Sequence, residues 1–303
     1  MSRQVRRAAS RGRPARLAVV AVATVLAVLA GGCGITRKVA VGTITPILDE
    51  TVRATYASRD VATVREAMPA NLVLLRGLAA SEPGNREIRT AAVQTYFSYA
   101  NGFIEDEDPA RAILLYREGL DLGREGLARR DWFRRAEAGR PLPDSTALAK
   151  AEREDVPLLF WTVANWAALI GLTLSEPSAV AELPRVEAYL SRILELEPGY
   201  FLGMPHVLAG TILSMRPRML GGQPEKGKEH FDEALRISQR RMLYFQVMRA
   251  RYYCRQVLDE GCFDENLREA LEAPDDILPE YRLMNRLAQE KARRLMEKRD
   301  ELF

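Results

Sequence analysis

Histidine and cysteine are scarce in this chain of 303 residues: two histidines, His206 and His230, and three cysteines, Cys33, Cys254 and Cys262. Their spacing builds no zinc site, which needs closely spaced ligand pairs that converge on one ion. Also missing are a Gly-x-Ser-x-Gly elbow, a Walker A loop and a Gly-x-Gly-x-x-Gly turn. With no nucleophile–base constellation and no phosphate cradle, the sequence points away from an enzyme and implies no catalytic residue, metal or cofactor. Period-2 alternation is nearly absent, which argues against β architecture. The strongest apolar run, Leu17–Ala30, has fourteen residues, short of the ~20 that a membrane span requires.

That run still organises the N-terminus. Six arginines precede it (Arg3, Arg6, Arg7, Arg11, Arg13, Arg16), and Gly31-Gly32-Cys33 follow. A positive segment, a short apolar segment and small residues make an export signal. A cysteine directly after two glycines resembles the lipobox of bacterial lipoproteins, where the thiol is acylated and the chain is cut before it. Ala30, with Leu29 behind it, stands where the lipobox usually carries leucine. Two or three acyl chains anchor stably where one holds only marginally. The alternative is an ordinary cleaved signal that leaves Cys33 as a free thiol. Gly34 follows, so the acid that retains lipoproteins at the inner membrane is absent, which favours the outer membrane.

Charge follows from the same division. The chain has 44 Lys+Arg against 41 Asp+Glu. Residues 1–32 hold six of the arginines and no acid, so the remaining 271 residues have 38 against 41, or −3. The basic excess belongs to the export signal, and no basic patch with interleaved aromatics survives to bind nucleic acid. Outside the cytoplasm Cys254 and Cys262 are permitted to pair, or they stand as two separate buried thiols.

Beyond the signal the chain is expected to be all-α. Apolar residues recur at three- and four-residue spacing over 43–56, 59–80, 86–103, 108–129, 144–171, 178–196, 203–215, 224–238, 241–258, 263–272 and 279–300. Asp108-Pro109 and Gln223-Pro224 mark helix starts, and Glu197-Pro198-Gly199 marks a stop. Segments 131–143 and 216–223 are expected as irregular loops. A tetratricopeptide-like repeat can be counted within this field. Tyr96, Tyr99, Ala100 and Phe103 fill one helix and Ala112, Tyr116 and Gly119 its partner. The second unit is Trp161, Ala164, Asn165, Ala168 with Val186, Leu190, Ile193, carrying an insertion of about nine residues around Ser175–Leu183. The third is His206, Ala209, Gly210, Leu213 with Gly227, Phe231, Ala234; residues 242–273 form a degenerate fourth and 279–300 a closing helix. The expected organisation is a lipoprotein signal at 1–32, an anchor segment at 33–58 and helical hairpin repeats over 59–303. The alternative is an irregular helical bundle.

Longer strings carry a resemblance. Tyr99-Ala100-Asn101-Gly102-Phe103-Ile104-Glu105-Asp106-Glu107-Asp108-Pro109-Ala110-Arg111-Ala112, with Leu115-Tyr116-Arg117-Glu118-Gly119, resembles the T component of TRAP transporters, the tripartite ATP-independent periplasmic importers. So do Phe160-Trp161 with Trp166, Glu182–Glu187, Met204-Pro205-His206, Leu220-Gly221-Gly222 and Leu278–Gln289. Gly227 departs from the pattern, since its repeat usually has alanine there. The resemblance implies a lipid-anchored periplasmic repeat protein that docks the solute-binding protein of such a system, assembles as a homo-oligomer and passes a small hydrophobic ligand. The rival reading is a repeat lipoprotein that scaffolds envelope assembly.

Candidate cavity or partner-contact residues are Asn101, Trp161, Asn165, Trp166, His206, Arg216 and Arg218, each with a plainer alternative. Trp161 and Trp166, five apart on one helix, point to different faces and serve either as core or as cavity lining. Asn101 and Asn165 sit in apolar helices, so each needs a partner or marks a polar spot in a cavity. His206 falls at an inward repeat position. Arg216 and Arg218 lie in a loop of charge, bulk and glycine suited to a partner or to packing over the groove. Glu105-Asp106-Glu107-Asp108 has the carboxylate density of a calcium site, but the reading adopted is a solvated turn with a cap.

Overall fold

The computed structural model describes residues 46–48, 50–139, 141–216 and 218–303; the export signal and Cys33 lie outside the described residues. The chain divides into units 1–50 and 51–303, and the architecture below is that of the second. Every regular element among its described residues is helical.

Helix α1 (Val61–Ser81) starts where the Asp60 carboxylate accepts from the Thr63 amide at 3.0 Å, which satisfies one orphan donor of the first turn. It buries Val64, Met68, Leu72 and Leu75 at helical spacing against α2 (Arg86–Tyr99), itself capped by Asn85 on the Ile88 amide at 2.9 Å. Helix α3 (Pro109–Leu127) begins at the expected Asp108-Pro109 and pairs with α2. Gly119 and Gly123 then face the next helix, α6 (Val156–Leu172). A methyl at Gly119 would collide with Asn165 Oδ1, and one at Gly123 with Thr162 Oγ1. Without side chains there, the two backbones pack closely.

Segment 131–143 is only in part the expected loop, because Asp131–Ala138 forms helix α4. Trp132, Phe133 and Ala136 make one apolar face and bury it in the core, an arrangement that the surrounding arginines mask in the sequence. Likewise 144–171 is not one helix. Ser145–Leu148 (α5) stops, and the chain re-enters α6 through Asp155. This carboxylate, 1% exposed, accepts from Trp132 Nε1 at 2.9 Å and from the Glu152 amide at 3.1 Å, with Arg130 Nε 3.0 Å away. With Arg86 Nη1 3.5 Å away as well, these partners compensate the buried acid and hold the break open.

Helix α6, counted with the turn before it from Arg153 to Leu172, is long and apolar enough to cross a membrane, yet most of it is buried within the fold. It packs against α2, α3 and, later in the chain, α8 (Leu183–Leu196) and α9 (Met204–Ser214), which is why it is apolar on every side. The insertion between α6 and α8 forms the short α7 (Pro177–Ala181). Helices α9 and α10 (Pro224–Ile237) pair tightly. A Cβ on Gly210 would lie 3.0 Å from the Gly227 carbonyl, and one on Gly227 would meet Ser214 Oγ. This contact explains why Gly227 stands where an alanine was expected.

Helix α11 (Leu243–Met248) widens into a π-turn at Arg249–Cys254 and pairs with α12 (Glu260–Glu272), and a Cys254–Cys262 disulfide joins the two. Helix α13 (Arg282–Glu297) covers α11 and α12 and reaches back to α1, where Leu283 joins Val64, Met68 and Leu72 in one apolar cluster. Arg282 and Arg286 donate to the carbonyls of Ala57 and Arg59 at 3.3 and 2.7 Å. The last long helix thus closes the array onto its first. A short α14 (Arg299–Leu302) ends it.

Candidate functional site

Closure leaves a cavity of about 610 Å³ among α2, α6, α9 and α11. Its existence follows from side-chain size. Helix α6 turns Ala164, Ala167, Ala168 and Gly171 toward it, at i, i+3, i+4 and i+7, so one wall is a stripe of small residues. Opposite, α9 contributes Val207, Leu208 and Ile212, and α11 contributes Tyr244 and Met248. The volume lies inside the ~300–1,000 Å³ range of small-molecule sites, and the lining is predominantly apolar.

Both helices that flank the polar end carry a π-turn, an i→i+5 widening that recurs at functional sites. In α2 it spans Ala100–Ile104, closed by the Glu105 amide on the Ala100 carbonyl at 2.8 Å; in α11 it spans Arg249–Cys254. These turns bring Asn101 and Glu105 opposite Arg251 and Tyr252. Glu105, 7% exposed, accepts from the Tyr116 hydroxyl at 2.5 Å and from Asn101 Nδ2 at 3.3 Å, with an Arg251 guanidinium nitrogen 3.4 Å away. Its charge is compensated locally. Burial pushes the phenols of Tyr244 and Tyr252 up, so they remain hydroxyls at neutral pH.

Behind this end lies the acidic run. Asp106 pairs with Lys291 of α13 and lies 3.2 Å from Arg251; Glu107 pairs with Arg65 of α1 and lies 3.2 Å from Arg294 of α13; Asp108 caps α3. The run is more than the expected solvated turn with a cap. Its carboxylates join α1, α11 and α13 at the point of closure. Among the described residues no group of three His, Cys, Asp or Glu could hold a metal ion.

Of the residues singled out from sequence, Asn101 lines the cavity and the others are placed elsewhere. Trp161 is buried, donates to the Tyr200 hydroxyl at 3.1 Å and meets the rings of Phe97, Phe160 and Phe201. Trp166 carries the Arg124 guanidinium 4.0 Å above its ring. Asn165 is fully buried and donates to the carbonyls of Val93 and Trp161 at 3.1 and 2.8 Å, tying α2 to α6. His206 Nδ1 lies 2.9 Å from His230 Nδ1 across α9 and α10. Arg216 pairs with Glu187 at 2.8 Å, and Arg218 pairs with Glu225. Glu105, Arg251 and the small-residue stripe of α6 were missed, although the spacing of Ala164, Ala167, Ala168 and Gly171 is visible in the sequence.

Beside the cavity, Phe201, Leu202 and Gly203 take left-handed φ of 45, 61 and 97° in succession. Left-handed backbone costs roughly 1–2 kcal/mol for a residue with a Cβ and collects near functional sites. Here it turns Phe201 into the rings of Tyr56, Trp161 and Tyr281, 5.2–5.6 Å between centroids, and starts α9.

A family model described as TRAP transporter T-component matches residues 57–303, which takes in all the helices above. The chain belongs to that family. A T-component is an accessory component of a TRAP transporter, a system of the periplasm and membrane. An uncharacterised protein of Treponema pallidum (strain Nichols) is 25% identical over 250 residues, covering 77% of this chain and 77% of its own length.

Proposed function

We propose that this T-component is a lipid-anchored periplasmic protein, held at the outer membrane by acyl chains on Cys33, that docks the solute-binding protein of its importer. The helix pairs α2/α3, α6/α8, α9/α10 and α11/α12 serve as tetratricopeptide-type repeats, and the cavity between them holds a small apolar molecule in transit. The cavity carries this reading, because a scaffold for envelope assembly needs only a shallow groove, whereas this space reaches about 610 Å³ with a largely apolar lining, between helices whose ends α13 joins. The disulfide supports an extracytoplasmic site, since such bonds persist in oxidising compartments.

The test has two arms. Cells fed radiolabelled palmitate should label the wild-type protein and not Cys33→Ala. Crosslinking in whole cells, followed by capture in detergent, should recover a periplasmic solute-binding protein. Recovery of only envelope-assembly proteins overturns the docking role, and an unlabelled wild type overturns the anchor.

A further inference from the structure

The cavity's charges are arranged unevenly. Its inner end is self-compensated: Glu105 faces Arg251, and Asp106 behind them is held by Lys291 and Arg251. The outer end is different. Leu174 and Leu258, 36% and 71% exposed, lie on the lining and mark the mouth. Arg255 lies on the lining there as well, exposed, one helical turn beyond Arg251. Among the described residues no carboxylate lies within ion-pair distance of it. The ionised side chains of the lining are therefore one acid and two arginines, and the uncompensated charge sits at the rim, not in the interior.

An apolar interior with a lone cation and exposed leucines at its mouth matches one kind of molecule. We propose that the cavity binds a single-chain amphiphile with an anionic head, the chain along Ala164, Ala168, Val207 and Ile212 and the head on the Arg255 guanidinium, with Gln256 beside it. This rests on the reading that the cavity holds an apolar molecule, and adds the class of molecule and its orientation. A neutral alcohol of equal length loses the charge-assisted hydrogen bond, and a cationic head meets Arg255 with like charge. The apolar wall alone would take all three alike.

The test uses the mature lipoprotein in phosphatidylcholine nanodiscs, with empty discs subtracted, and equilibrium dialysis of dodecanoate, dodecyl phosphate, dodecan-1-ol and dodecyltrimethylammonium. Dodecanoate should bind about tenfold or more tightly than the alcohol, and the ammonium more weakly still. Arg255→Gln, at an exposed side chain with no partner to lose, should remove the preference for the anion and leave the alcohol unchanged. Ala168→Phe or Leu208→Trp, each filling the cavity, should abolish all binding with the far-UV CD spectrum retained. The phosphate arm separates a fatty-acid source from a lipid headgroup: tighter dodecanoate points to the first, tighter dodecyl phosphate to the second. Equal binding of anion and alcohol, a preference that survives Arg255→Gln, or binding that survives both filling variants overturns the proposal. Loss of dodecanoate binding with capture of the solute-binding protein intact sinks this inference alone.

Discussion

Asp106→Asn is the substitution that tests closure most directly. Asp106 holds Lys291, whose residue is 7% exposed, and sits 3.2 Å from Arg251, so it joins the first helix pair to α13 and α11. Removing one member of a buried pair costs about 3–5 kcal/mol, because the other charge is left without compensation. Asp106 is itself 23% exposed, and water reaches part of the site, so about 2–3 kcal/mol is expected for this near-isosteric change. Urea unfolding at neutral pH, followed by tryptophan fluorescence, measures it, and trypsin should cut α13 sooner in the variant. The double change Asp106→Asn with Lys291→Met, which removes both charges, should recover a large part of the loss. Acid adds an independent check. Burial pushes the Asp106 carboxyl up, but Lys291 and Arg251 outweigh it and hold the group below its ordinary value. Its contribution is therefore complete above the ordinary aspartate range, near pH 3.9, and is lost as pH falls through the lower folded value. The gap between wild type and variant should close over that window. A loss below about 0.5 kcal/mol at neutral pH, the size of an ordinary surface change, would refute the reasoning.

Gly123→Ala should destabilise by about 1–3 kcal/mol through collision with Thr162; in a Thr162→Ala background the Cβ at 162 still lies 2.9 Å from the added methyl, so the penalty should shrink without vanishing, and denaturant midpoints read both. Cys262→Ser opens the disulfide loop of sequence separation 8 and should cost about 2.5 kcal/mol from loop entropy, seen as a lower melting temperature that reductant reproduces in the wild type only. His206 and His230 are both held below the ordinary histidine value, burial being the larger cause and, for His206, the neighbouring ring a second. Their contribution is complete above pH ~6.5 and is lost as pH falls from there through the lowered folded values, so stability should drop on acidification below about pH 6.5, and His206→Phe should flatten that slope in urea titrations.

Helix positions were legible wherever one face alone is apolar. The windows 108–129, 203–215 and 224–238 coincide within a residue or two with α3, α9 and α10, because Pro109 and Pro224 fix their starts and alternating faces fix their length. Legibility failed where tertiary partners override local pattern. Helix α4 hides three apolar side chains among arginines, and the break before α6 depends on Asp155 meeting Trp132 from 23 positions away. The π-turns were invisible for the same reason, since the windows 86–103 and 241–258 read as uninterrupted helix. At the site, a polar residue in an apolar helix drew attention to Asn101 and Asn165 equally. Only packing separates them: Asn165 finds two carbonyls, whereas Asn101 turns to Glu105 on the cavity wall.

The cavity has no single sequence element of its own. A stripe of small residues on α6 would ordinarily draw a neighbouring helix into close contact, as Gly119 and Gly123 of α3 do on another face of the same helix. Toward the cavity no helix is free to approach, because α2, α9 and α11 are each fixed by a pairing partner of their own and by closure through α13. Space left by Ala164, Ala168 and Gly171 is thus preserved by constraints located elsewhere. Closure depends in turn on an acidic run whose charges would repel one another if Lys291, Arg251, Arg65 and Arg294 were withdrawn. Neutralising those cations should therefore change the cavity before it unfolds the helix pairs, with amphiphile binding lost at a lower urea concentration than the far-UV CD signal. Coincident loss of the two would mean that the void is intrinsic to α6 and that closure does not hold it.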